Sequence, residues 1–93
     1  MSESTIQTSI LTALKKQGGV WLKLRDSASG VSHWPDIIGC YRGKFVAIEI
    51  KKPGEKPCAG QLAFLELIKK SGGIAGWATS VKEARAIIAD SVC

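Results

Sequence analysis

Soft metal ligands are scarce in this chain: its 93 residues include one histidine, His33, and three cysteines, Cys40, Cys58 and Cys93. The cysteines are odd in number and far apart, with no CxxC pair, so neither a disulfide framework nor a zinc site has the spacing it needs. Reduced thiols are expected, with Cys40 buried in a strand. His33 has no Cys or His at ligand spacing and reads as an ordinary loop residue, with substrate contact its only other use. No run approaches the roughly 20 apolar residues of a membrane span, and no charged segment followed by an apolar one opens the chain. The expectation is a soluble, cytoplasmic protein with no membrane partner. Internal repeats, low-complexity tracts and breaks in composition are also missing, so residues 1–93 are expected to form one domain. Acids are outnumbered, eight against thirteen Lys and Arg, for a net charge of +5. That excess favours a polyanionic partner, while the mixing of the two signs excludes a basic tail.

Against these absences stands one dense stretch, Pro35 to Lys51, which reads as a two-stranded hairpin. Val46, Ile48 and Ile50 alternate with Ala47, Glu49 and Lys51, so one face of the second strand is core and the other carries charge. With Arg42-Gly43 as a two-residue loop, Tyr41 pairs with Lys44, and counting outward sets Asp36 opposite Glu49. A bulge at Gly43 would shift that pairing by one. Opposed positions hold their Cβ atoms roughly 4.5 to 5.5 Å apart, and two carboxylates that close repel unless a proton or a divalent cation lies between them. An acid in the middle of a Val/Ile-rich strand is itself unfavourable without compensation. The pair therefore reads as a metal site. Lys51 is either the compensating cation of a salt-bridged surface or the ammonium of an active site, and the three residues together favour the second. Two carboxylates and the main-chain carbonyl of Ile50 offer hard oxygen ligands suited to Mg²⁺ or Mn²⁺. Such an ion polarises a phosphoryl oxygen and lowers the pKa of a bound water, and an ammonium beside it can orient that water. This is equipment for phosphodiester hydrolysis.

The rest of the chain reads as scaffold. Ser4-Thr5-Ile6-Gln7 has the form of a capping box opening a helix from about Thr5 to Lys16, ended by Gly18-Gly19. Val20 to Arg25 alternates as a strand, with Val20, Leu22 and Leu24 on one side and Trp21, Lys23 and Arg25 on the other. The polar segment from Asp26 to His33 is a surface loop, and Lys52 to Pro57 is a Pro/Gly break. A second helix spans Ala59 to Lys70 with a stripe of Leu62, Leu65 and Ile68 beside Phe64, capped by Gly72-Gly73. Ile74 to Ala78 fits a buried strand. Ser80-Val81-Lys82-Glu83 is a second capping box, opening a third helix with Ala84, Ile87 and Ile88 inward. The order is α-β-β-β-α-β-α. A last strand reached through a helix runs parallel to its neighbour, so the fold class is α/β with a mixed sheet flanked by helices.

Gln61, in the first turn of the second helix, is either a plain polar residue there or one that places water or phosphate, and the positive end of that helix could hold a phosphate. Glu3 and Gln7, one turn apart, could add an oxygen to the metal, although a cap at Ser4 leaves Glu3 ahead of the helix and occupies Gln7. Lys23, Arg25, Lys44, Lys52 and Lys56 are candidates for DNA-backbone contacts. Trp21, Trp34 and Trp77 read first as packing residues, and Trp34 is the best candidate among them for stacking on a base.

Pro35-Asp36, then Glu49-Ile50-Lys51, then Gln61 resemble the PD-(D/E)xK nuclease superfamily. The fuller pattern is similar to its VRR-NUC family, the virus-type replication-repair nucleases. The matching parts are the leading helix with Glu3 and Gln7, Gly19 to Arg25, Gly30, Pro35 to Gly39, Phe45 to Pro53, Gln61 and Gly72-Gly73. The likeness covers nearly the whole chain, as in a stand-alone member of phage or bacterial type. It implies a restriction-endonuclease-like α-β-β-β-α-β core plus a C-terminal helix, and cleavage of DNA dependent on Mg²⁺ or Mn²⁺. Stand-alone members are similar to Holliday-junction resolvases that act as homodimers on branched DNA. The implied partners are thus branched or four-way-junction DNA and a second copy of the chain, in a bacterium or a phage-infected cell. Asp36 and Glu49 carry over as metal ligands, Lys51 as the catalytic lysine and Gln61 as the supporting polar residue. The family's N-terminal acid falls on Glu3, with Gln7 at the position of better helical geometry, and Cys58 stands where the family has Ser or Thr. Two other readings are a nickase or linear-duplex endonuclease, and a non-catalytic nucleic-acid-binding module of the same fold.

Overall fold

The hairpin forms because its turn matches the twist of its strands. Arg42 and Gly43 both have positive φ, 52° and 81°, the pattern of a two-residue type I′ turn. Arg42 tolerates this with its guanidinium 5.4 Å above the Tyr41 ring. Strand β2 (Ile37–Tyr41) then pairs with β3 (Lys44–Ile50) from Tyr41↔Lys44 to Ile37↔Ile48. No bulge intervenes, and the next pair outward is Asp36 with Glu49.

The computed structural model describes residues 2–24 and 34–89. Around the hairpin lie α1 (Glu3–Gln17), β1 (Val20–Lys23), α2 (Ala59–Lys70), β4 (Ile74–Ala78) and α3 (Val81–Ala89). The sheet has the order β1-β2-β3-β4, antiparallel except for the β3–β4 pair. This is the mixed α/β architecture expected from the sequence. Helices α1 and α3 cover one face, where Ile6, Ile10, Leu14, Ala84 and Ile88 pack on Val46, Ile48, Ile50 and Ile37. Helix α2 covers the other, placing Leu65 and Ile68 over Ala47, Ala75 and Ile38.

The expectation of one core face and one charged face on β3 therefore needs correction. A crossover helix between parallel strands lies on the sheet, so Ala47 and Glu49 are as buried as Val46 and Ile48. Strand β1, whose alternation alone leaves the core face open, is settled by the same packing. Its core residue is Trp21, while Val20 and Leu22 are 75% and 57% exposed. The indole of Trp21 lies over Gly39, where an added Cβ would be 2.5 Å from the ring and 2.3 Å from the Val20 carbonyl oxygen. Its ring N–H donates to the Gly18 carbonyl at 2.9 Å. Helix α2 packs on β3 and β4, which leaves Val20 and its neighbour in register, Cys40, uncovered. Cys40 is accordingly an exposed free thiol and not a buried one.

The helix ends also differ in detail. Ser2, not Ser4, caps α1 by accepting the Thr5 N–H at 3.1 Å, so Glu3 lies inside the helix and Gln7 belongs to no cap. Helix α2 keeps its expected bounds, but Leu62 is 42% exposed and the inward stripe is Gln61, Phe64, Leu65 and Ile68. At α3, the Ser80 hydroxyl accepts the Glu83 N–H at 3.2 Å, while the Glu83 carboxylate reaches past Ser80 to the N–H and hydroxyl of Thr79. Those two bonds hold the Glu83 carboxyl below its ordinary range. No described helix is long and apolar enough to cross a membrane.

Candidate active site

Asp36 is placed by the residues on either side of it. Pro35 is fully buried, and the Asp36 carbonyl accepts the Leu24 N–H at 2.8 Å, which carries the β1–β2 ladder one step beyond β1. With its backbone held this way, the Asp36 side chain turns to β3 and its Oδ2 accepts the Ile50 N–H at 2.8 Å. A carboxylate thus satisfies a strand N–H at the point where β2 has no backbone partner to offer. The same bond sets the Asp36 carboxyl beside that of Glu49.

Both acids are buried, Asp36 7% and Glu49 3% exposed. The Glu49 carboxyl is pushed up to about 9, first by burial, then by its hydrogen bond to Asp36 and by the charge of Asp36. The Lys51 ammonium and the Ile50 N–H pull the other way without prevailing. Without a cation the upward shift favours a proton held by the pair at neutral pH, the usual outcome when two carboxyl groups share a buried space. A divalent cation answers the same electrostatic demand by displacing that proton. The donor set fits Mg²⁺ or Mn²⁺: hard carboxylate oxygens converge, and the pleat turns the Ile50 carbonyl to the same edge as its N–H, towards Asp36. One or two carboxylates suffice for Mg²⁺, since waters and substrate phosphate complete its shell.

Other candidates are distributed unevenly around this pair. Lys51 follows β3 directly, and its N–H donates to the Ala78 carbonyl at 3.0 Å, which extends the parallel ladder to β4. Alternation puts its half-buried side chain on the face of Glu49. Gln61 lies on the inward stripe of α2, and its Oε1 accepts the Cys58 N–H at 3.0 Å. The oxygen thereby supplies the backbone cap at the Cys58 end of the helix, and the amide Nε2 is the group left to donate to water or phosphate. Lys52 and Lys56 are exposed in the segment between β3 and α2, at the same end of the sheet.

The structure does not bring the remaining candidates to the pair. The Glu3 carboxylate takes a long 3.5 Å hydrogen bond from the Gln7 amide, and among the described residues no third His, Cys, Asp or Glu joins Asp36 and Glu49. Lys44 sits at the turn, five residues along β3 from Glu49 and so roughly 17 Å away. Lys23 pairs with Ile37, which puts it near the acids along the sheet but on the α1/α3 face. Arg25, His33 and the polar loop between them lie outside the described residues. Trp34 is partly accounted for by packing, with its ring 5.0 Å from that of Phe64 on α2.

One residue near the acids was read from sequence only as strand packing. Trp77 is the register partner of Glu49 on β4 and is 38% exposed. Ile74 to Ala78 reads as one apolar run fitting a buried strand, so nothing in it singles Trp77 out as exposed, and the parallel register that sets it beside Glu49 has no local signal.

A scan against protein-family models finds no matching family, and a search of curated proteins finds no matching relative. Solved structures do match. One, described as a "VRR_NUC domain", is 28% identical with a TM-score of 0.76, and the alignment covers 94% of each chain. Another, a "VRR_NUC domain protein", shares the fold at 24% identity and a TM-score of 0.77, over 99% of this chain and 88% of that one.

Proposed function

The chain belongs to the VRR-NUC family, a family of nuclease domains, and from that premise we propose that it is a divalent-metal-dependent DNA endonuclease acting on branched DNA, four-way junctions included. The observation that carries this reading is the buried pair Asp36 and Glu49, one anchored by the Ile50 N–H and the other pushed up to about 9. A binding module has no use for two opposed acids sealed from water, whereas a phosphodiesterase needs a focused site for a cation.

In this reading Asp36, Glu49 and the Ile50 carbonyl hold Mg²⁺ or Mn²⁺. When bound, the ion supplies Lewis-acid polarisation of the phosphate and a water of lowered pKa. The chain's own residues do the rest. Lys51 orients the attacking water and offsets charge developing on the phosphate. The Gln61 Nε2 donates to a phosphate oxygen or to that water, with the amide oriented by the Cys58 N–H on its Oε1. The positive end of α2 and the exposed Lys52 and Lys56 attract the DNA backbone. Two symmetric cuts at a junction call for two copies of the chain, because one site of this size reaches one strand.

The test is incubation with labelled four-way junction, flap and linear duplex in Mg²⁺, Mn²⁺ or EDTA. Metal-dependent cutting of the branched substrates is the expected result. Binding without cleavage in either metal would leave a nucleic-acid-binding module, and equal cutting of linear duplex would remove the preference for branches. Sedimentation of the chain with and without junction DNA tests the homodimer.

A further inference from the structure

We propose that Trp77 is a nucleobase-stacking residue that receives an unpaired base next to the cut phosphate. This rests on the nuclease reading above and adds to it the physical basis of a preference for branched DNA.

Three residues form a line across the sheet. Asp36 is the next pair beyond Ile37↔Ile48, which sets it beside Glu49, and Glu49 is the register partner of Trp77. Adjacent strands lie about 4.8 Å apart, and register partners present their side chains on one face. That face is the α2 side, since Ala75 and Ala47, two residues back on the two strands, pack under Leu65. Trp77 therefore stands directly beside the acid pair, on the outer strand β4.

Comparison with the other tryptophans separates this position from ordinary packing. Trp21 is buried, bonds its ring N–H to Gly18 and lies against Tyr41. Trp34 leans on Phe64. Among the described residues, Trp77 has no such ring contact and no hydrogen bond on its indole nitrogen, and 38% of it meets water. A large π face beside a phosphate-cleaving site is what a base swung out of its stack can use. Bases held in a continuous duplex keep their faces covered by their neighbours, so the surface selects nucleotides freed at a branch point. Stacking of this kind tolerates any base.

The test uses the full chain and the variants Trp77→Leu, which keeps apolar bulk but no ring, and Trp77→Phe, which keeps a ring. Dissociation constants for a four-way junction are measured in EDTA, kcat and KM in Mg²⁺, and melting temperatures alongside. W77L should weaken binding and raise KM by about 5- to 150-fold with kcat nearly unchanged, whereas W77F should stay near wild type. Replacing the nucleotides around the cut with abasic sites, one at a time, should expose one position that weakens binding to wild type and not to W77L. Equal binding by wild type and W77L, or abasic losses that simply multiply with the W77L loss, would overturn the proposal and leave Trp77 as cover for the strand edge. Should W77L fail to fold, the abasic scan on wild type and W77F decides alone, and the lack of any sensitive position overturns stacking. A chain that shows the sensitive position but cuts no DNA in Mg²⁺ or Mn²⁺ overturns the nuclease reading and keeps the stacking site. Cutting without a sensitive position does the reverse.

Discussion

Ile48 and Glu49 are neighbours on β3, both shut away from water, yet their surroundings are opposite in kind. Ile48 faces hydrocarbon from α1, α3 and β2. Glu49 faces another acid, with an ammonium two residues along and α2 lying on the same side of the sheet. The first face stabilises the fold through burial, whereas the second spends stability on a site that is satisfied only by a proton or a cation. A strand buried on both faces can therefore divide its work, keeping hydrophobic packing on one side and chemistry at one end of the other.

The largest effect that separates the two faces is on activity. Glu49→Gln should lower cleavage by about 10²- to 10³-fold or more, while thermal melting of the metal-free protein shows equal or greater stability, because an opposed acid is gone. A marked fall in melting temperature would break the comparison by showing that Glu49 holds the fold together. The pH dependence sharpens the same point. A carboxyl raised from 4.5 to about 9 on folding keeps its proton where the unfolded chain has lost it. The metal-free fold is then favoured most at low pH and loses that stability as pH rises from about 4.5 towards 9. Melting temperatures across that range should fall for wild type and lose much of this slope in Glu49→Gln. Because the cation displaces the proton, Mg²⁺ or Mn²⁺ should raise the melting temperature more at the alkaline end than at the acidic end.

Changes on the hydrocarbon face should act through stability. Ile48→Ala should cost about 2 to 5 kcal/mol, read as a lower melting temperature. Cleavage per folded molecule should hold, apart from any shift passed along β3. Gly39→Ala is a smaller and more local test. A Cβ there meets the Trp21 ring and the Val20 carbonyl, and overpacking of this sort typically costs about 1 to 3 kcal/mol. Hydrogen exchange should show the loss first in β1, while the β2–β3 hairpin and its acids stay protected.

Much of this arrangement was legible before the structure. The Val/Ile alternation from Val46 to Ile50 and the Arg42-Gly43 turn together locate Asp36 opposite Glu49, because hairpin register is a matter of counting. The bounds of α2 follow from the Pro/Gly break before it and Gly72-Gly73 after it. The misread features are those in which a distant element chooses between local options. Ser2 and Ser4 are both good caps, and the helix begins at the first of them, whose hydroxyl accepts the Thr5 N–H. Which face of β1 is core is open in the sequence rather than misread, since Val20, Leu22 and Trp21 are all apolar, and only the reach of α2 and the gap left by Gly39 make the indole the buried member. Cys40 was misread for the same reason, since nothing near it in sequence states that α2 stops short of its row.

Local chemistry by itself determined the elements, their order, the turn, and the set of Asp36, Glu49, Lys51 and Gln61, since each depends on residues close together in the chain. Tertiary structure alone decided that Glu49 is sealed on its charged face, that Glu3 stays away from the pair, that the Gln61 oxygen serves the helix cap, and that Trp77 stands beside the acids. The physical reason is that a parallel pairing and a crossover helix join segments far apart in sequence, and their register is set by how the assembled faces pack.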